Sequence, residues 1–439
     1  MGKKIKVIVA GAGHGGLTAG ALLAEAGHDV TVIERCKEGT LGYDWTDIFV
    51  KKAFNYAGIP LPSDDKFLPN HTTVFHSPNK ESVIMTNEPT EGSLANMERV
   101  DLYDVLLDFA KSKGVKFIYE ASVTGPIVKD NRVTGLFMKR NGKFESIHAD
   151  LIIDAAGLHS PLRENLPASF KIQNKFDKYQ IFYTYRAFYE RTDKSITDEY
   201  FNVYFYHLRQ AGLDWYINAL DYCDILIGRF EPLTDEQIKA VEDDFLSEYP
   251  EMSSKLIRGG QRATIPVRRA IAKMVADGYA AIGDSAAMTI PIIGSGIENS
   301  LMAGKMLADA VLAAGGATDI EALWGYQVRY YKEINSKIVM LDKMRELVCG
   351  LTPDELDFLF NNGILNSDDM RSATGEGGLE LGLSAILDKL KRGITNIPLL
   401  LKIVNIISKG KQLSEVARLI PANYNETDVN AWIEAYNSI

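Results

Sequence analysis

Three glycines and one carboxylate near the start of the chain have the spacing of a dinucleotide-binding site. Gly11, Gly13 and Gly16 follow the apolar run 5–10, and Glu34 ends a second apolar run about 20 residues later. In such a site the glycines permit a tight turn beside a pyrophosphate, the following helix points its N-terminus at the phosphates, and the acid accepts hydrogen bonds from a ribose. An ordinary strand–turn–helix without a ligand is the alternative. The order of strand, glycines, helix and acid disfavours it.

A second segment, GYAAIGDSAAMTIPIIGSGIENS, has the composition of another ligand-binding turn. An apolar strand ends at Asp284, and Pro291, Gly294 and Gly296 precede a long helix that is predicted over 298–314. The free N–H groups and the dipole at this helix N-terminus suit the N1–C2=O edge of a flavin, which gains negative charge on reduction. The Asp284 carboxylate suits ribose or ribityl hydroxyls. Taken alone, the segment also fits a strand–helix turn with an unrelated aspartate.

The elements between these segments predict an α/β chain with an inserted sheet. Apolar spacing predicts a helix over 98–113, a strand over 115–119 and a buried strand over 151–155, with a three-stranded meander before the last. From about 175 to 230 the pattern changes to period two with many aromatics, which predicts antiparallel strands. We therefore predict three domains. A Rossmann-like domain is discontinuous and comprises 1–168 and 260–345, an antiparallel-sheet substrate domain is inserted at 169–259, and a helical C-terminal domain spans 346–439.

Composition narrows the class of protein. The chain has 439 residues and a formal net charge of −10, which argues against a nucleic-acid-binding surface. Its three cysteines, Cys36, Cys223 and Cys349, form no C-x-x-C pair, so a reducing compartment is expected, and no metal-binding motif is visible. The sequence contains no run of 18 apolar residues, and it leaves no room for a signal peptide before the first strand. These features predict a cytoplasmic enzyme.

Three motifs in order resemble the flavoprotein family that includes p-hydroxybenzoate hydroxylase and the geranylgeranyl reductases. They are GAGHGGL with VIER, DAAGLHSPLR, and AAIGDSAAMTIPIIGSGIENSL, and they cover most of the first 315 residues. The resemblance implies an FAD-binding domain, with Arg99 at the pyrophosphate or ribityl chain and the backbone of Val123 at the adenine. The implied cofactor-binding residues are Gly11, Gly13, Gly16, Glu34, Arg35, Arg99, Val123, Gly157, Asp284, Pro291, Gly294, Gly296 and Ile297.

The chain departs from this family at three positions. Ala156 stands where an acid is usual, and Glu298 follows GSGI where hydroxylases tend to have asparagine. His14 stands where many relatives have proline; contact with the pyrophosphate and a position at the protein surface are both open for its side chain, and the surface is favoured. By the resemblance, Ala156 replaces an acid that contributes to cofactor or nicotinamide contacts in the hydroxylases, and the sequence has no second G-x-G-x-x-G for a separate nicotinamide domain. The electron donor is therefore left open among NAD(P)H, ferredoxin and another flavoprotein.

Further segments resemble the geranylgeranyl reductase branch. They are GGQRATIPVRRA, the tryptophan of GLDWYINALDY, and the helical tail that begins LTPDELDFLF. The resemblance implies an FAD-dependent oxidoreductase that transfers hydride from reduced flavin N5 to a C=C bond of a small lipophilic, prenyl-type substrate. A group A flavin monooxygenase that hydroxylates an apolar or aromatic substrate through a flavin hydroperoxide is the first alternative. A non-enzymatic flavin electron-relay protein is the alternative of another class.

Aromatic side chains are the candidates for the substrate pocket. Tyr43 and Trp45 follow the second strand, where relatives place a loop near the flavin, and Trp215 and Tyr206 lie in the period-two region. Side chains alternate along a strand, so only half of the aromatics in that region can face the flavin. Two roles are open for His207, a proton donor and a hydrogen-bonded structural residue, and the second is the favoured interpretation.

The basic and apolar segment 389–411 has two interpretations. It is too short to span a bilayer, but it has the pattern of a helix that rests on a membrane surface, which would make the enzyme peripheral to a membrane. A core helix with basic ends is the alternative, and this is the favoured one.

Overall fold

The computed structural model describes residues 3–86, 93–195, 200–219, 221–373, 389, 392–393 and 395–439. Its strands are β1 (Lys6–Ala10), β2 (Asp29–Ile33), β3 (Thr46–Val50), β4 (Thr73–His76), β5 (Val83–Met85), β6 (Leu94–Glu98), β7 (Lys116–Ile118), β8 (Ala121–Lys129), β9 (Arg132–Arg140), β10 (Lys143–His148), β11 (Leu151–Asp154), β12 (Ile181–Arg191), β13 (Phe201–Phe205), β14 (Gly212–Ala219), β15 (Tyr222–Arg229), β16 (Met252–Pro266), β17 (Val275–Ala276) and β18 (Tyr279–Ala281).

The helices lie mainly at the start and in the last third of the chain. They are α1 (His14–Glu25), α2 (Lys52–Ala57), α3 (Arg99–Ser112), α4 (Pro161–Glu164), α5 (Asp235–Glu248), α6 (Ile297–Ala313), α7 (Ile320–Tyr330), α8 (Ser336–Ile338), α9 (Met340–Cys349), α10 (Pro353–Asn361), α11 (Ser367–Ala373), α12 (Ile397–Arg418) and α13 (Glu426–Ser438). A π-helical turn, Tyr331–Asn335, joins α7 to α8.

A six-stranded sheet carries the two glycine-rich turns. Its order is β17-β18-β11-β1-β2-β7, and its pairs are parallel apart from the β17–β18 hairpin. β1 and β11 are apolar and buried, as strands covered on both faces must be. Because these strands are parallel, the turns after β1, β11 and β18 lie at one edge of the sheet, where α/β proteins bind ligands.

Helices α1 and α6 pack together against this sheet at very short range. A Cβ on Gly15 would lie 2.6 Å from the main-chain oxygen of Ser300, and one on Gly304 would lie 2.6 Å from the oxygen of Gly15. Only glycine permits this approach. It brings the N-termini of α1 and α6 to the same side of the sheet.

A seven-stranded sheet forms the second large layer, in the order β16-β12-β15-β14-β13-β4-β5. Its pairs are antiparallel, apart from the parallel pair β13–β4. The sequence predicted this sheet from its aromatic central strands, but β4 and β5 come from residues 73–85, which the prediction did not include. The three-stranded meander β8-β9-β10 is present as predicted. The predicted domain boundaries stay a prediction.

Because side chains alternate along these strands, the seven-stranded sheet has two different apolar faces. One face carries Tyr185, Tyr204 and Tyr216 and packs under α5. The opposite face carries Phe75 and Val203 and packs against apolar side chains of α9, α10 and α12. The core between the sheet and the C-terminal helices therefore uses the face opposite α5.

Helix α12 forms most of the basic and apolar segment 389–411, for which the sequence left a membrane-surface helix and a core helix open. Leu390, Lys391 and Ile394 of this segment lie outside the described residues. It buries Leu399, Leu413 and Ala417, as a core helix does, but Ile397 and Leu401 are 58% and 65% exposed. Within the described ranges, no helix is long and apolar enough to cross a bilayer.

Candidate functional site

The first turn of the parallel sheet is closed by backbone contact with its neighbour. Gly11 has φ +88°, and a Cβ there would lie 2.6 Å from the main-chain oxygen of Ala155. A Cβ on Gly13 would lie 2.8 Å from the same oxygen, and one on Gly16 would lie 2.5 Å from the Cβ of Ala155. Glycine is therefore required at all three positions, whichever ligand the turn binds.

Glu34 ties the same turn to the end of β2. Its buried carboxylate accepts hydrogen bonds of 2.8 Å from the backbone N–H of Ala12 and of Cys36. Arg35 beside it is exposed. Val123 is half-buried in β8, whose first residue, Ala121, donates a backbone hydrogen bond to the oxygen of Glu34. The residues predicted for the adenosine end of the cofactor thus lie near one another.

A buried carboxylate, Asp154, joins the second and third motifs. It accepts hydrogen bonds from Ser160 Oγ at 2.5 Å, Tyr279 Oη at 2.7 Å and Ser285 Oγ at 3.0 Å. Ser285 in turn accepts a hydrogen bond from the backbone N–H of Gly157 at 2.9 Å. This network fixes the turn after β11 against the Gly-Asp turn after β18.

Arg99, the first residue of α3, sits in a cluster of charged and aromatic side chains. Its guanidinium pairs with both carboxylate oxygens of Asp47, Nε donating at 2.7 Å, and lies over the rings of Tyr43 and Trp45 at 5.8 and 5.4 Å. Burial alone would raise the pKa of Asp47, but Arg99 outweighs it and holds that pKa below its usual value. A carboxylate therefore neutralises the positive charge at this point.

Asp284 faces the same cluster without a hydrogen-bonding partner among the described residues. Burial raises its pKa to about 6, against the opposing charge of Arg99. The ionised form of a carboxylate desolvated in this way is unfavourable unless a hydroxyl or another group donates a hydrogen bond to it. Ribityl or ribose hydroxyls are donors of the required kind.

The loop before α6 supplies the second helix N-terminus. Pro291 is buried, Gly294 has φ +72°, and Gly296 is the N-cap, which provides no side-chain oxygen for the free N–H groups of the first turn. Ile297, the first helical residue, is buried. Glu298 is buried as well, and this burial raises the pKa of its carboxyl.

The four aromatic candidates occupy three different environments. Tyr43 is 37% exposed and stacks on the buried Trp45, with ring centroids 4.8 Å apart. Trp215 is half-buried on the sheet face opposite α5. Tyr206 is buried beside the C-terminal helices, where its hydroxyl donates to the main-chain oxygen of Val348 at 2.5 Å. Tyr206 is therefore held in the core, in the same apolar cluster as Trp215, whereas Tyr43 lies in a partly exposed loop.

Arg186 connects the two tryptophans. Its guanidinium lies 6.0 Å from the ring of Trp45 and 5.2 Å from that of Trp215. It forms a buried pair with Asp224, with hydrogen bonds of 2.9 and 2.6 Å, and donates to the main-chain oxygen of Thr46 at 2.6 Å. Both indole Nε1 atoms are buried and have no hydrogen-bond partner.

The GGQ stretch of β16 holds the same loop from the other side. Gly259 and Gly260 have φ +75° and +67° at a shift of register against β12. Arg258 donates to Asp44 Oδ1 at 2.7 Å, and Gln261 accepts from the backbone N–H of Asp44 at 3.0 Å. The bulge lets residues on either side of the two glycines reach one loop residue.

A cavity of about 230 Å³ opens beside this loop. It lies over the paired strands β12 and β16, and Tyr43 forms part of its wall. The other lining residues are Tyr183, Thr184, Pro232, Leu233, Arg262, Ala263 and Thr264.

One expectation about the site is wrong. His14 was expected at the protein surface, but its ring stacks on Tyr103, with centroids 5.0 Å apart, and its Nε2 is buried without a hydrogen-bond partner. Burial and the nearby Arg99 lower its pKa to about 4. His14 is the first residue of α1 and faces the site because the helix begins there.

Several residues of the site were missed from the sequence. Asp47, Asp154 and Arg186 are charged residues inside strands that are otherwise largely apolar. A charge at such a position signals a buried pair, but its partner becomes visible only when the strands are paired. His207 was interpreted correctly, since its two ring nitrogens contact Asp214 and Asp244 at 2.9 and 2.8 Å.

The described residues fit a dinucleotide that carries a flavin. The N-termini of α1 and α6 lie on the same side of the sheet, Asp284 has no hydrogen bond, and the Nε2 of His14 has no partner. Helix N-termini suit phosphate and a flavin edge that gains negative charge, and the carboxylate suits polyol hydroxyls. An extended ligand with these three groups would satisfy every one of these atoms.

Comparison with known proteins agrees with this fit. A family model described as FAD binding domain matches residues 4–315. A digeranylgeranylglycerophospholipid reductase from Sulfolobus acidocaldarius is 24% identical over 426 residues, covering 94% of this chain and 92% of the relative. The predicted cofactor, FAD, is confirmed.

Solved structures share the fold. A geranylgeranyl bacteriochlorophyll reductase-like protein from Thermoplasma acidophilum superposes with a TM-score of 0.71 at 18% identity, covering 92% of this chain and 99% of its own. A triple mutant of a flavin-dependent brominase superposes with a TM-score of 0.63 at 15% identity, covering 90% of this chain and 99% of the brominase chain. The predicted fold class is therefore confirmed.

Proposed function

The chain belongs to the family described as FAD binding domain, and on that premise we propose that it reduces carbon–carbon double bonds of a lipophilic, prenyl-type substrate. It is an FAD-dependent oxidoreductase of the geranylgeranyl reductase-like kind. The observation that carries the proposal is the match to a reductase of a digeranylgeranyl lipid along 94% of the chain.

Reduced FAD, when bound, would supply a hydride to one alkene carbon, and an acid or solvent would supply the proton to the other. The protein binds and orients. Free N–H groups at the N-terminus of α6 stabilise negative charge on the flavin edge, Asp284 accepts from ribityl hydroxyls, and Arg99 supports the phosphate side. The glycine-rich turn after β1 and Glu34 hold the adenosine half.

Tyr43, Trp45 and Trp215 are the proposed substrate contacts. Their rings offer apolar area for a prenyl chain, and the cavity beside Tyr43 lies over β12 and β16. Arg186 and Asp224 neutralise each other, so the charge beside Trp45 and Trp215 does not oppose an apolar ligand. Tyr206 acts at a distance, by joining the sheet to α9.

The proposed partner surface is a membrane that holds the lipid substrate. Ile397, Leu401 and Val404 form an exposed apolar face of α12, and the exposed Lys409 and Lys411 follow on the same helix. Apolar side chains with adjacent lysines suit the headgroup region of an anionic bilayer.

This proposal is tested by flotation with vesicles of neutral or anionic lipid. We expect the protein to float with anionic vesicles and the Leu401→Ser variant to float less. Leu413→Val, which changes a buried side chain of the same helix, is the matched control. Equal flotation of Leu401→Ser and the unaltered protein would contradict membrane contact through this face.

The electron donor is proposed to be NAD(P)H, ferredoxin or another flavoprotein. Each donor is mixed anaerobically with the oxidised holoenzyme, and loss of the visible flavin absorbance is followed. The donor that bleaches the flavin within the time of a catalytic turnover is assigned.

The substrate is tested with the reduced holoenzyme, a geranylgeranyl lipid and no oxygen. We expect the flavin to reoxidise and the lipid to gain two hydrogens. Oxygen-dependent addition of an oxygen atom to the substrate would instead support a monooxygenase.

A further inference from the structure

His14 is the one residue of the first glycine-rich turn with a polar side chain. Its ring is held by stacking on Tyr103 at an interplanar angle of 28°, and its Nε2 is buried without a hydrogen-bond partner. A buried, unpaired ring nitrogen is unfavourable unless a ligand supplies its partner. The orphan atom therefore marks a place where a polar group is expected.

The position of His14 indicates which polar group that is. The residue follows Gly13, the N-cap of α1, and occupies the first helical position. A helix N-terminus favours anions, and phosphate is the anionic part of a dinucleotide. The charged groups that face His14 are Arg99, on α3, and Asp47, on β3.

Arg99 is paired with Asp47 through two hydrogen bonds. Because this pair is nearly neutral, Arg99 offers a dianionic pyrophosphate little uncompensated positive charge beside that of the helix dipole. A His14 N–H would add a donor at the point where the arginine is already engaged.

We propose that His14 is a cofactor-binding residue whose Nε2–H donates a hydrogen bond to the FAD pyrophosphate. The residue acts on binding and not on the reduction step, so the proposal depends on FAD binding and not on the proposed substrate. The low pKa of His14 agrees with a neutral imidazole, in which one nitrogen can donate.

The test is the dissociation constant for FAD of the apoprotein, measured by quenching of flavin fluorescence, in three variants. His14→Pro removes the imidazole but suits the first position of a helix, where proline lacks only an N–H that has no helical partner. His14→Gln retains an amide N–H near the position of Nε2. His148→Gln, at an exposed histidine of β10, is the matched control.

We expect the FAD dissociation constant to rise about tenfold in His14→Pro, as for loss of a hydrogen bond to a charged group. His14→Gln should recover most of the affinity, and His148→Gln should bind like the unaltered protein. Thermal unfolding without FAD checks that each variant folds, and His14→Leu replaces His14→Pro if the latter does not.

A second ligand separates phosphate from ribityl contact. ADP carries the pyrophosphate without the flavin, so His14→Pro should weaken ADP binding by a similar factor. Weaker binding of FAD with unchanged binding of ADP would overturn the pyrophosphate assignment. Unchanged binding of both would overturn the proposal altogether, whether or not the enzyme proves to reduce prenyl lipids.

Discussion

Arg186 Nη1 donates a hydrogen bond of 2.6 Å to the main-chain oxygen of Thr46, the residue that follows Trp45. A strand of the seven-stranded sheet thereby holds the loop that carries two of the proposed substrate contacts. The guanidinium can be buried there because Asp224, on the neighbouring strand, accepts two of its hydrogen bonds. The position of the loop therefore depends on an ion pair in another layer of the fold.

Asp224→Ala should destabilise the protein by about 3–5 kcal/mol, because it leaves the buried Arg186 uncompensated. The double variant Arg186→Met with Asp224→Leu removes both charges and should cost much less. Urea unfolding of both variants gives the free energies. A single variant no less stable than the double would show that the pair is not desolvated as described.

Gly15→Ala should destabilise the contact of α1 with α6, because its Cβ would meet the oxygen of Ser300 at 2.6 Å. We expect a loss of about 1–3 kcal/mol and weaker FAD binding. Gly20→Ala, in the same helix, is the matched change: its Cβ meets only side-chain carbons at 3.4 Å. That variant should be neutral or more stable by about 0.5–1 kcal/mol. Thermal and urea unfolding of both variants measure the change in stability. Equal changes in Gly15→Ala and Gly20→Ala would contradict the close approach of α1 to α6.

Asp284→Asn should make the apoprotein more stable at pH 7 and weaken its binding of FAD. The folded pKa of about 6 lies above the value near 4 of an unfolded aspartate, so the folded state binds more protons between these pH values. Its contribution to stability is then present at low pH and lost as pH rises through 6. Removing the carboxylate should stabilise the apoprotein at pH 7 by up to about 2 kcal/mol. Urea unfolding from pH 4 to 7 measures this, and a variant with the unaltered pH slope would contradict it.

Trp215→Leu should raise the KM for a prenyl substrate, by about tenfold, because apolar contact area is lost from the proposed pocket. Tyr206→Phe is the matched change in the same sheet, since it removes only a hydrogen bond to Val348. It should lower stability by about 1 kcal/mol and leave KM unchanged. Steady-state kinetics of both variants, with unfolding curves, test the assignment. A change of KM in Tyr206→Phe alone would contradict the assignment of Trp215 as the substrate contact.

The sequence was sufficient for the parallel sheet and its two glycine-rich turns because each depends on local spacing. Gly11 and Gly13 were placed by the motif, and the meander before β11 by its turns. The sequence was not sufficient for β4 and β5, which are short and join a sheet formed mainly by residues more than 100 positions later. Their pairing is non-local, so no local pattern predicts it.

The same limit applied to the side chains. His14 was expected at the surface, whereas Tyr103 and Arg99 bury it from another helix. Conversely, His207 was assigned correctly because a polar residue in an aromatic strand needs partners, and Asp214 lies seven positions away.

The account is tested most directly with the anaerobic, dithionite-reduced holoenzyme and a geranylgeranyl phospholipid. Absorbance of the flavin and the mass of the lipid are followed together. We predict that the flavin reoxidises in step with a lipid that is two hydrogens heavier per bond reduced. A flavin that stays reduced, with a lipid of unchanged mass that is oxygenated only when air is admitted, would contradict it.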